Sequence, residues 1–136
     1  MNFKDLKLES NVQDHVIEFD DGAKLTVRGY LPINEKTALI EYVVGQALDQ
    51  NTGRFSPIRV ETFFGLAVAH YYAGINFEDD LKAAETYDML ETSGLMNEIV
   101  GNIPESEYNY IQELMQDTIS DIADFNSSFA GILRIA

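Results

Sequence analysis

The sequence predicts an α+β domain, mostly α: a β-hairpin near the N-terminus followed by a small bundle of about four helices. Two observations carry this. Residues 14–30 hold two β-rich runs around an Asp-Gly turn, the second of them alternating apolar and polar side chains, whereas the chain from residue 34 onward repeats its apolar residues at helical spacing. The length of 136 residues fits one domain, and 46% hydrophobic with 11% aromatic residues is enough for a core. The expected layout is a single domain over 1–136: an arm at 1–13, the hairpin at 14–30, the bundle at 34–128 and an apolar tail at 129–136.

The arm is irregular, with Phe3, Leu6 and Leu8 as residues able to anchor it. HVIEF and KLTVRGY then flank Asp20, Asp21, Gly22 and Ala23, and an Asp-Gly pair suits the positive φ of a tight hairpin turn. Leu25 and Val27 alternate with Thr26 and Arg28, so one face is buried. Two strands alone are marginal, and the hairpin must pack on something else.

A first helix starts near Asn34 as N-cap, with Leu39, Ile40, Val43, Val44, Ala47 and Leu48 on one face. Residues 49–55 form a polar loop. The second helix has Ser56 as N-cap, Pro57 in its first turn and Gly74 as its stop. Its stripe is Val60, Phe63, Phe64, Ala67, Val68 and Tyr71, and Gly65 permits a close neighbour. Asn76 and Asp79 resemble a capping box for a third helix that turns Leu81, Ala84, Tyr87 and Leu90 to the core and ends at Gly94. A short helical turn at 95–101 precedes a final helix from about Pro104 to Phe125, with Tyr108, Ile111, Met115, Ile119 and Ile122 inward. Phe63, Phe64, Val68, Ile111 and Ile119 are the expected core.

Charge is uneven. Residues 1–68 hold 7 basic and 10 acidic side chains, residues 69–136 hold 2 and 13, and the halves sum to a net −14. No Lys or Arg lies between Lys82 and Arg134. Such a surface repels phosphate and anionic lipid, so neither direct nucleic-acid binding nor membrane binding is expected. No apolar run is long enough to cross a membrane. MNFKDLKLES has no apolar signal core, which leads to the expectation of a cytoplasmic product.

No motif points to an enzyme. Without cysteine there is no thiolate nucleophile or thiolate metal site. His15 and His70 form no pair at ligand spacing, and His70 suits the negative end of its helix. Asp49, Asn51 and Gly53 imitate the opening of a calcium loop, but Gly53 and Arg54 occupy the next two key places, so a plain turn is expected. Glu78, Asp79 and Asp80 suit a helix start. The expectation is therefore no catalytic, cofactor-binding or metal site, and no cofactor.

Four segments together resemble a family of small acidic proteins encoded in the virion-morphogenesis region of tailed bacteriophages and prophages of Gram-positive bacteria. They are VRGYLPINEKTALIEYV (27–43), FSPIRVETFFGLAVAHYYAGINF (55–77), YDMLETSGLMNEIVGNIPESEY (87–108) and NSSFAGIL (126–133). The resemblance implies a structural protein of the head–tail junction (neck) or tail, repeated in a ring, whose partners are neighbouring virion subunits or other copies of itself. Its implied location is the host cytoplasm during assembly and then the virion. A tail assembly chaperone and an acidic inhibitor of a basic host-defence surface are the alternatives. The expected partner contacts are the hairpin tip (Asp20, Asp21, Gly22), the tail (Phe129, Ile132, Leu133, Ile135) and the acidic face of the last helix (Asp117, Asp121, Asp124).

Overall fold

The computed structural model describes residues 1–78 and 82–135, and residues 129–135 by their backbone alone. Among the described residues the chain forms a two-stranded antiparallel hairpin and five α-helices. The strands are β1 (His15–Glu18) and β2 (Lys24–Val27). The helices are α1 (Ile33–Ala47), α2 (Pro57–Ala73), α3 (Ala83–Thr92), α4 (Leu95–Asn102) and α5 (Glu105–Ile135).

The hairpin pairs Ile17 with Leu25 and His15 with Val27. That register puts Ile17 and Val27 in the core and leaves Val16 in solvent. At the tip the Phe19 amide donates to Ala23 O (2.8 Å) and the Gly22 amide to Phe19 O (2.9 Å). Gly22 sits at φ 88°, a conformation that a side chain disfavours. The Arg28 amide donates to Tyr72 O (2.8 Å), which fastens the hairpin's exit to the end of α2.

Helix α2 is the centre of the molecule. It touches α1, α3, α4 and β2. Its caps are as expected: Ser56 Oγ accepts from the Arg59 amide, Pro57 lies in the first turn, and Gly74 at φ 72° closes the helix. Its burial is wider than the expected stripe. Leu66, Ala67, Val68 and Ala69 are consecutive and all buried, because neighbours surround the helix. Tyr72 is fully buried, while Tyr71 is half-buried and its ring meets His70 edge-on. Gly65 lets α3 approach: a Cβ there would lie 2.7 Å from Cε2 of Tyr87.

Other boundaries moved. Helix α1 starts at Ile33 with Pro32, not Asn34, at the N-cap position. Proline's fixed φ of −53° already suits a helix entrance. Helix α3 starts at Ala83, which is buried, whereas the expected core residue Ala84 is exposed. Asp79 of the expected capping box, Asp80 and Leu81 lie outside the described residues. Helix α5 does not stop at Phe125, since its backbone stays helical through 126–135, and Ser and Asn without Pro or Gly are weak terminators. Phe3, Leu6 and Leu8 do not anchor the arm: a 3-10 turn spans Phe3–Leu6, but the three side chains are 76%, 47% and 68% exposed. Of the five expected core residues, Phe63, Phe64, Val68 and Ile111 are buried, and Ile119 is half-buried against them.

Candidate functional site

Two features between α2 and α5 concentrate the unusual chemistry. The first is a sealed polar clasp. Lys36 on α1 and Glu107 in the first turn of α5 form a salt bridge of 3.0 Å, and they are only 1% and 8% exposed. Glu107 Oε2 also accepts from the Leu31 amide (2.7 Å) and the Tyr72 hydroxyl (3.1 Å). Lys36 Nζ donates to Leu31 O (2.7 Å) and lies 3.8 Å from the centre of the Tyr30 ring. Three elements and the hairpin's exit thus meet at one ion pair. Burial, followed by the charge of Glu107, pushes the Tyr72 phenol well above its ordinary pKa.

Every polar atom in this clasp has a partner. It can hold the ends of α1, α2 and α5 in register, and a carboxylate in the first turn of α5 also suits the helix dipole. Gly29 belongs to the same junction. Its amide donates to Asp14 Oδ1 (2.9 Å), and an added Cβ would sit 2.2 Å from Gln13 O. Beside it, Arg28 donates from Nη1 and Nη2 to the two Glu35 carboxylate oxygens at 2.9 and 3.1 Å. That contact holds the Glu35 carboxyl below its usual pKa and the Arg28 guanidinium above its own.

The second feature is a groove of about 590 Å³ between α2, α3, α4 and α5. Phe64, Val68, Met96 and Met115 are its buried floor, and Val60 and Ile119 its half-buried walls. Exposed Glu61, Glu91 and Gln116 stand at its rim. The Tyr87 hydroxyl donates to Glu61 Oε1 (3.3 Å). Burial, with the charges of Glu61 and Glu91 behind it, pushes the Tyr87 phenol up to about 12. The groove is an apolar slot with an acidic edge.

The expected contact residues do not converge on either feature. Asp20, Asp21 and Gly22 are exposed at the hairpin tip, where Asp21 Oδ1 accepts from the Ala23 amide (2.9 Å). Asp117, Asp121 and Asp124 are exposed along α5. Phe129, Ile132, Leu133 and Ile135 lie on the helical backbone of α5, and their side chains lie outside the described residues. Asn126 ties α5 to the α1–α2 loop, its Nδ2 donating to Gly53 O (2.9 Å). That loop is an ordinary turn: Asp49 Oδ1 accepts from the Asn51 amide (2.8 Å). His70 Nδ1 lies 2.8 Å from Ile75 O, at the end of α2. Among the described residues no group of three or more His, Cys, Asp or Glu is placed to hold a metal ion. Nor is any helix there long and apolar enough to cross a membrane.

The clasp and the groove were both missed at the level of sequence. The clasp had a signal. Lys36, Leu39, Val43 and Ala47 share one helical face, as do Glu107, Ile111 and Met115, so each charge sits in line with an apolar stripe. No family model matches the chain, and neither a curated protein nor a solved structure matches it.

Proposed function

We propose that this chain is a non-enzymatic phage structural protein, a ring-forming component of the head–tail junction or tail. One structural observation carries the reading beyond the resemblance of the four segments. Phe3, Leu6 and Leu8 are presented to solvent on an arm outside the core, an arrangement suited to contact with a neighbouring subunit. The hairpin tip, whose Asp20, Asp21 and Gly22 are exposed, is a second element available to a neighbour. The protein then assembles in the host cytoplasm and resides in the virion.

The test is quantitative mass spectrometry of purified particles from a phage encoding this gene. A fixed, low ratio to the major capsid protein, consistent with one ring per particle, is the expected result. Absence from particles would overturn the reading. Co-purification with a tail protein before assembly would then favour a chaperone, and a salt-sensitive complex with a basic host protein would favour an inhibitor.

A further inference from the structure

We infer that the acidic-rimmed groove between α2 and α5 is the docking site for residues 3–8 of the N-terminal arm of a second copy of this chain. The inference rests on the ring-forming reading above and gives that ring its interface. Both surfaces present apolar side chains, and their charges are of opposite sign. The groove offers an apolar floor of Phe64, Met96 and Met115, with Glu61 and Glu91 at its edge. The arm offers Phe3, Leu6 and Leu8, all exposed, with Lys4 and Lys7 interleaved between them, while Asp5, the one acidic residue of the segment, turns back to accept from the Asn2 amide. Those lysines are two of only nine Lys and Arg residues in the chain, so the pairing places scarce positive charge against the acidic rim.

The two patches differ from each other, so the contact is heterologous: the arm of one copy enters the groove of the next, and its own groove remains open for another. Repetition closes a ring or extends a chain. The arm's base is held by the Asp14–Gly29 bond, and a local Asn2–Asp5 bond (3.2 Å) shapes its tip. Part of the ordering cost of docking is therefore already met.

The experiment combines sedimentation with pairwise cross-linking of the full chain. The protein has no cysteine, so single introduced cysteines report one contact each. A Glu9→Cys chain mixed with a Gln116→Cys chain is expected to form a mixed disulfide under mild oxidation, while a mixture of Glu9→Cys with Asp20→Cys is not. Wild-type protein is expected to sediment with a mass that rises with concentration above 15.3 kDa. The exposed pair Phe3→Ser and Leu8→Ser is expected to weaken that association by about tenfold or more without altering the melt.

A concentration-independent monomer overturns the inference. So does an oligomer indifferent to the arm substitutions, or equal cross-linking at residues 116 and 20. These outcomes separate from the particle test. Cross-linking at 116 with absence from particles sinks the virion reading alone. Presence in particles without arm-dependent association sinks only the interface.

Discussion

The clasp and the groove both lie where α2 faces α5, and they treat polar groups in opposite ways. At the clasp, Lys36 and Glu107 are withdrawn from water and every donor and acceptor is answered within the chain. At the groove, Glu61 and Glu91 remain at the surface beside apolar side chains that the chain itself covers only in part. A charge answered internally is a means of fixing the fold. An apolar slot edged by exposed carboxylates is a means of choosing a partner. The difference predicts that substitutions at the clasp act on stability, and those at the groove rim act on association.

The largest effect is expected at Glu107. Glu107→Ala leaves the buried Lys36 charge, the Leu31 amide and the Tyr72 hydroxyl without their acceptor, at a cost of roughly 3–5 kcal/mol. Urea denaturation followed by circular dichroism measures it. Combining Lys36→Met with Glu107→Gln removes both charges and keeps an acceptor for Leu31 and Tyr72, so it should recover most of the loss. A double variant as unstable as Glu107→Ala would show that packing, and not the uncompensated charge, sets the cost.

Gly29→Ala comes next. The new methyl group meets the Gln13 carbonyl at the base of the arm, and about 1–3 kcal/mol of destabilisation is expected in the same denaturation assay. The arm's base should also become more susceptible to limited proteolysis, since the close approach that holds it is lost.

High pH separates the two regions more gently. An unfolded tyrosine ionises near pH 10, roughly its reference value. Tyr72 and Tyr87 are both raised above that in the fold, Tyr87 to about 12. Their contribution to stability is present below pH 10 and is lost as pH rises through their folded values. Stability measured by denaturation should therefore fall from pH 10 upward. Tyr87→Phe should flatten only part of that fall, because Tyr72 at the clasp still contributes. The smallest effect on stability is expected at the exposed groove rim, where Gln116→Ala should stay within about 0.5 kcal/mol of wild type.

Much of the fold was legible because local chemistry and tertiary packing agreed. Ser56, Pro57 and Gly74 bound α2 by their own backbone preferences, and Asp21-Gly22 placed the hairpin tip. The failures have physical causes. The end of α5 was misplaced because Asn126, Ser127 and Ser128 disfavour a helix only weakly, and the Asn126 bond to Gly53 favours its continuation. The expected anchoring of the arm assumed that apolar residues find their own core, whereas Phe3, Leu6 and Leu8 remain in solvent. The clasp was hidden by the habit of reading charges as surface, although Lys36 and Glu107 each stand in line with buried apolar neighbours. The groove could not be read at all, since its lining is scattered from Phe55 to Ile119 over four helices and follows no local pattern.

Charge exchange across the arm and the groove is the most direct test of the central claim that the groove takes a second copy's arm. Glu61→Lys with Glu91→Lys should weaken the self-association seen by sedimentation equilibrium by about tenfold, and Lys4→Glu with Lys7→Glu should weaken it likewise. A mixture of the two variants should associate as wild type does, because the arm of one now matches the groove of the other. If the mixture stays as weak as either variant alone, the arm and the groove do not meet.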